Sequence, residues 1–164
     1  MMTVYHRYAK AMYHTALRIV GDSDDAEDVM QEAFIKAFDK LDSYKATATF
    51  GAWLKRIVVN ESLSWLRKHK NFECLSDNLK AVEPETGFEI DEKNVRLEIL
   101  LDTINRLKDN YKLAFNLYFI EGYDYEEMMD ILNLSYANVR TLVSRAKQQL
   151  KDILKTNYPE YIKK

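Results

Sequence analysis

Between Asp24 and Asn71 the surface charge reverses from strongly negative to strongly positive while the apolar residues keep a helical spacing throughout. No other feature of the chain restricts its fold as much. Ala26, Val29, Met30, Ala33, Phe34, Ala37, Phe38 and Leu41 recur at three and four, the apolar stripe of an amphipathic helix. Asp24 and Glu27 have the spacing of a capping box, and acidic residues in a first turn complement the helix dipole. Asp25, Asp28, Gln31, Glu32 and Lys36 are left on the outer surface. The next segment, DSYKATAT at 42–49, has neither glycine nor proline but is rich in small and hydroxyl side chains, which favour turns. A second helix is predicted from Phe50 to about Lys70, buried through Phe50, Leu54, Ile57, Val58 and Trp65. Its other side gathers Arg56, Asn60, Ser64 and Arg67, and Lys55, Lys68 and Lys70 add to the basic block. Cations, an amide and a hydroxyl together suit holding phosphate and reading base edges. The unit therefore offers surfaces to two unlike partners.

The totals agree with helices only. Four glycines and two prolines in 164 residues, without strand-like alternation, predict an all-α fold, and length alone leaves one domain or two small helical domains open. The formal net charge of −2 is unusual for a protein that binds DNA by itself, so the local partition of charge carries the information. The only cysteine, Cys74, allows no internal disulfide and no cysteine-based zinc cluster. His6, His14 and His69 have no metal-ligand spacing and no nucleophile-base set emerges, so no catalysis, metal or cofactor is expected. Without a signal-peptide core or a membrane-length apolar run, no membrane insertion is expected and the cytoplasm is the default location.

Outside the central unit, residues 3–20 read as a helix in which Tyr5, Tyr8, Met12, Ala16 and Ile19 pack inward, with Gly21 just past its end. The helical pattern then fails from Asn71 to Asn94, where acids predominate and Pro84 and Gly87 intervene, as expected of a flexible acidic linker. The expected division is a first domain at 1–71, a linker at 72–94, a second domain at 95–155 and a fraying tail at 156–164. In the second domain, Leu97, Leu100, Leu101, Ile104 and Leu107 form one stripe. Another helix, at about Tyr111 to Glu121, buries Ala114, Phe115, Tyr118 and Phe119 and is closed by Gly122. Asp124 and Glu127 repeat the capping-box spacing before a short helix, Tyr125 to Leu132. Asn133, Leu134 and Ser135 form a turn, and Ser135 caps a helix reaching about Lys155. Val139, Leu142, Val143, Ala146, Leu150 and Ile153 point inward from it. Ala137, Arg140, Thr141, Ser144 and Gln148 face out, with Arg145 and Lys147 on the flanks. Two helices across a short turn, the second basic and hydroxyl-rich, describe a helix-turn-helix.

The segments DAEDVMQEAFIKAF and FGAWLKRIVVNESLSWLRK resemble region 2 of the extracytoplasmic-function (ECF) sigma factors, the two-domain branch of the bacterial sigma-70 family. The segment NRLKDNYKLAFNLYFIEGYDYEEMMDILNLSYANVRTLVSRAKQQL resembles region 4 of the same proteins. The resemblance implies a subunit that binds core RNA polymerase and directs promoter recognition, DNA melting and transcription initiation. It assigns polymerase docking to Asp25, Asp28, Gln31 and Glu32. Capture of a flipped minus-ten base falls to the loop, with Asp42, Ser43, Tyr44 and Lys45, and Lys55, Arg56, Asn60 and Arg67 hold the melted strand. Contact with the duplex minus-thirty-five element falls to Ala137, Arg140, Thr141, Ser144, Arg145 and Gln148. An anti-sigma factor is implied as a further partner. The family pattern also implies a region 2 that begins about one helix before Met1. Met129 stands where the family has a small residue, Asn133 where it has a turn glycine, and Leu142 where arginine is frequent, so a DNA contact is expected to be missing there. Two alternatives remain open on the residues alone: a helix-turn-helix transcriptional regulator that works without polymerase, and a protein-interaction module that has lost DNA reading.

Overall fold

The computed structural model describes residues 2–72 and 96–161. The contacts divide the chain into two compact units, Met1–Glu73 and Cys74–Lys164. Apart from Phe72, the expected linker at 72–94 lies outside the described residues, all of whose regular elements are helical.

The first unit packs three helices against one another: α1 (Met2–Val20), α2 (Ser23–Asp39) and α3 (Phe50–His69). Met12, Ala16 and Val20 of α1 meet Ala26, Val29, Met30, Ala33, Phe34 and Ala37 of α2 and Leu54 and Val58 of α3 in a single core. Small residues at Ala16, Ala26, Ala33 and Ala37 let the helix backbones approach while the larger side chains interdigitate. The tyrosines of α1 are packing residues, as their spacing predicts. Tyr5 lies 4.9 Å from the Phe34 ring and Tyr8 5.6 Å from Phe50. A Cβ added at Gly51 would come within 3.0 Å of the Tyr8 ring, so the glycine allows α1 and α3 to close together.

Two local details differ from the sequence expectation. Gly21 takes the left-handed conformation past α1, with φ 84°, as expected. The N-cap of α2, however, is Asp22 and not Asp24: its carboxylate accepts from the Asp24 and Asp25 amides at 3.0 and 3.1 Å. Asp24 is already helical, which removes it from the cap position. In α3 the buried line runs through Leu54, Val58, Val59, Ser62, Leu63 and Leu66. Ile57 and Trp65 are only half-buried, on its edge.

In the second unit α4 (Leu97–Asn105), α5 (Asp109–Phe115), α6 (Tyr125–Leu132) and α7 (Tyr136–Asn157) surround a core in which α7 touches each of the other three. Burial on α4 is concentrated at its C-terminal end, on Thr103 and Ile104, followed by Leu107. Leu97 and Leu101, expected in the stripe, are instead 69% and 48% exposed. α5 continues into a π-helical turn, Asn116–Ile120. The wider π turn moves later side chains back around the axis. Leu113, Ala114, Phe115, Asn116 and Leu117 are buried, while Phe119, within the π turn and expected inside, is 43% exposed.

The tail also departs from expectation. α7 runs on to Asn157, and a 3-10 turn, Pro159–Tyr161, packs against it. The Tyr158 hydroxyl donates to Asp102 Oδ2 at 3.1 Å, where Arg106 Nε also donates at 2.9 Å. A phenol bonded to a carboxylate loses its proton less readily, and this bond, with lesser burial and charge effects, holds Tyr158 above the usual tyrosine range.

Candidate nucleic-acid interface

On α2, residues 25, 28, 31, 32 and 35 follow the three-and-four spacing and share one face. Asp28, Gln31 and Glu32 are exposed and Asp25 is half-buried, so the four residues expected to act together are brought together. Sequence reasoning missed Ile35, which stands among them 56% exposed. Its signal was available: it lies seven residues after Asp28, two helical turns along the same face. Lys36 does not belong to the open surface expected for it. It reaches across to α3, where its ammonium contacts both Glu61 oxygens at 2.8 and 2.9 Å. That hydrogen bond, partly opposed by burial, raises the lysine above its ordinary value. A basic residue of the acidic helix thus joins an acidic residue of the basic helix.

The 42–49 loop is internally braced. Leu41–Ser43 form a 3-10 turn, and the Ser43 hydroxyl donates to the Lys40 carbonyl at 2.6 Å. The Tyr44 hydroxyl donates across the loop to the Ala48 carbonyl at 2.6 Å. Ala46, with φ 53°, occupies the left-handed region that disfavours a side chain, a local strain fixed by the closed loop. Thr49 then caps α3 by accepting from the Ala52 amide at 3.2 Å. Tyr44 packs 5.7 Å from Phe50 and 5.2 Å from Trp53, and the latter two rings are 5.5 Å apart. The loop therefore stands on an aromatic floor, with Asp42, Ser43 and Lys45 exposed and Tyr44 half-buried.

Arg56, Asn60, Ser64 and Arg67 share one side of α3, the last three exposed and Arg56 half-buried. Trp53, three residues before Arg56, joins that side to the loop. It was not among the expected site residues, although an aromatic next to a basic helical row is a recognisable signal for strand binding. Lys55 is not brought into the row: it lies one residue, roughly 100°, around the helix from Arg56 and is half-buried. At the far end, Lys70 donates to the Val20 carbonyl at 3.5 Å and lies over the Trp65 ring, tying α3 to α1.

The helix-turn-helix geometry follows the expectation closely. Asp124 accepts from the Glu127 amide at 2.8 Å, and the Glu127 carboxylate accepts from the Asp124 amide at 3.0 Å, completing the capping box. Asn133 takes the left-handed conformation, φ 54° and ψ 50°, and Ser135 caps α7 through the Asn138 amide at 3.2 Å. Met128, Ile131 and Leu132 are buried, while Met129 is half-buried. Ala137 and Arg140 are exposed, and Thr141, Ser144, Arg145 and Gln148 are half-buried on α7. Gln148 donates to Asp152 at 3.0 Å. Leu142 is 0% exposed, so it is a core position and not a lost DNA contact.

Beside this face, Tyr136 at the start of α7 is 48% exposed. Its ring meets Tyr125 edge to face at 5.6 Å, and Tyr125 stacks on Tyr118 at 5.0 Å. Burial, reinforced by Tyr118, raises the Tyr125 phenol above its usual range against the smaller opposing effect of the Arg140 charge.

A helical pair with a basic, hydroxyl-bearing second helix, in one chain with a unit that carries an acidic face on α2 and a basic row on α3, is the arrangement expected of a DNA-reading protein with a second macromolecular partner. Comparison with known proteins makes this specific. Residues 4–72 match the family model "Sigma-70 region 2" and residues 97–150 match "Sigma-70, region 4". The chain is 31% identical over 149 residues to the ECF RNA polymerase sigma factor SigM of Bacillus subtilis, covering 90% of this chain and 91% of that protein. It is 32% identical over 139 residues to the ECF RNA polymerase sigma-E factor of Escherichia coli, covering 78% and 73%. Among solved structures, the sigma factor RpoE in complex with the anti-sigma factor NepR from Bartonella quintana matches with a TM-score of 0.63 and 25% identity, over 95% of this chain and 97% of that one. The chain belongs to the ECF sigma factors of the sigma-70 family. It is an RNA polymerase-binding, promoter-recognition subunit of transcription initiation. The presence of both regions disfavours a regulator working without polymerase, and the family is not one of enzymes. Among the described residues, no helix is long and apolar enough to cross a membrane.

Proposed function

We propose that the two faces of the first unit divide the work of initiation. The acidic face of α2, through Asp25, Asp28, Gln31 and Glu32, docks on a basic surface of core RNA polymerase. The braced loop, with Asp42, Ser43, Tyr44 and Lys45, receives a base of the minus-ten element. Arg56, Asn60 and Arg67, with Lys55 beside them, hold the backbone of the opened strand. Extracting a base costs a few kcal/mol of unstacking. An aromatic floor beside a basic row offers compensating contacts to base and phosphate. Ala137, Arg140, Thr141, Ser144, Arg145 and Gln148 meet the minus-thirty-five element in its major groove. The protein acts in the cytoplasm, and an anti-sigma factor of the kind bound to RpoE is its expected regulator.

The observation that supports this reading most is the separation of charge on neighbouring helices of one small core. It is tested with core polymerase and the full chain. Asp28→Lys with Glu32→Lys should weaken holoenzyme assembly, whereas Asn60→Ala with Arg67→Ala, on the basic row of α3, should leave assembly intact and reduce promoter-specific run-off product. Equal loss of assembly in both variants overturns the division of roles.

A further inference from the structure

Resting on the assignment of α7 to the promoter duplex, we propose that Tyr136 is an additional specificity-determining residue, one that selects thymine in the upstream element through the base's C5 methyl group. Tyr136 is the first residue of α7 and lies one turn before Arg140, which places it at the edge of the row Ala137, Arg140, Thr141 and Ser144. The N-terminal part of a recognition helix is the part that approaches base edges. Within the major groove, hydrogen-bonding atoms mark every base, but the only apolar group is the thymine methyl. An aromatic ring left 48% exposed at that position has one complementary feature to meet there.

The ring is also held in place before any DNA arrives. Tyr125 supports it edge to face, Tyr118 stacks behind Tyr125, and Phe119 meets Tyr118 at 4.8 Å. These rings start from α5 and its π turn, cross the beginning of α6 and end at the beginning of α7. A side chain ordered in the free protein loses little rotamer freedom on binding, so a single methyl contact can be expressed in affinity.

The experiment uses holoenzyme assembled from core polymerase and the full chain, with promoter duplexes selected from a pool randomised across the upstream element. Each selected thymine is then replaced by deoxyuridine, which removes the methyl and keeps every hydrogen-bonding atom. One replacement should weaken binding by about three- to five-fold, as expected for one buried methyl. Tyr136→Phe keeps that sensitivity. Tyr136→Ala binds the methylated duplex as weakly as the deoxyuridine one, with a helical circular dichroism spectrum unchanged. Absence of any methyl-sensitive position, or unchanged sensitivity in Tyr136→Ala, overturns the proposal. So does equal loss in Tyr136→Phe and Tyr136→Ala, which would assign the effect to the hydroxyl on a phosphate. If binding shows no dependence on the upstream sequence and none on Arg140→Ala, the assignment of α7 itself fails. Upstream dependence without a methyl effect rejects Tyr136 alone.

Discussion

The start of α2 offers a prediction on which sequence spacing and structure disagree. Asp24 with Glu27 has capping-box spacing, but the carboxylate that accepts the first free amides belongs to Asp22. Replacing an N-cap aspartate by alanine costs about 1 kcal/mol, within a range of roughly 0.5–2. Loss of the negative charge beside the helix N-terminus adds about 0.3 kcal/mol at an exposed site. Asp22→Ala should therefore destabilise the first unit by about 1–1.5 kcal/mol. Asp24→Ala gives up only the charge effect and gains helix propensity of similar size, so its net change should be near zero. Both tryptophans of the chain, Trp53 and Trp65, lie in α3 and pack against this core. Their fluorescence during urea unfolding of the full chain thus follows the first unit. For a unit of this size the Asp22 variant should also melt roughly 5–10 °C lower. Equal destabilisation by both variants, or a larger effect at Asp24, refutes the reasoning.

Other consequences follow from burial and hydrogen bonding. Leu54→Ala removes a fully buried side chain from the three-helix core and should cost about 2–5 kcal/mol, read by the same fluorescence. Leu142→Arg places a charge at a position that is 0% exposed, so it should abolish cooperative unfolding of the second unit, measured by circular dichroism, and reduce promoter binding. Improved promoter binding with intact stability would instead restore the view of this site as a DNA contact. Tyr158→Phe should lower stability at neutral pH by removing the bond to Asp102. Because the Tyr158 pKa is raised on folding, its contribution is complete below the ordinary tyrosine value of about 10 and is lost as pH rises through the folded value. The difference between variant and parent, followed by urea unfolding at increasing pH, should shrink in that alkaline window; a constant difference counts against the bond.

What the sequence reveals depends on how local the determining physics is. The inward line Ala26, Val29, Met30, Ala33, Phe34 and Ala37 of α2, the Asp124–Glu127 capping box, the left-handed Asn133 and the Ser135 cap each depend on residues about one turn apart, and the structure has them as expected. Leu41, expected in the same stripe, lies past the end of α2 in the 3-10 turn and is 46% exposed. The cap of α2 was obscured because DSDDAE supplies several short polar candidates, and the choice depends on where Gly21 lets the chain turn. The π turn has no comparable local signal, so the inward face after Phe115 was misjudged by the helical period. Lys36 with Glu61 and Tyr158 with Asp102 join residues 25 and 56 positions apart, which no periodicity announces. At the candidate site, helical spacing was enough to collect Asp25, Asp28, Gln31 and Glu32. It passed over Ile35 and Tyr136 because exposed apolar side chains look like core residues until burial is known, and over Trp53 because a half-buried ring packs on the core and borders the surface at once.

That same distinction bears on how a chain of net charge −2 can serve at DNA. Affinity for duplex DNA comes largely from cations that displace counterions, and nearby carboxylates oppose it. On the proposed reading, the acidic face of α2 lowers the first unit's own affinity for nucleic acid while providing its affinity for polymerase. Lys36 and Glu61 pair with each other across the boundary, so neither adds an uncompensated charge to the opposite face. Each unit can then bind DNA weakly alone. Holding both on polymerase makes the second contact intramolecular and raises its effective concentration. Promoter binding becomes conditional on assembly through the arrangement of charges, without requiring a change of fold in either unit.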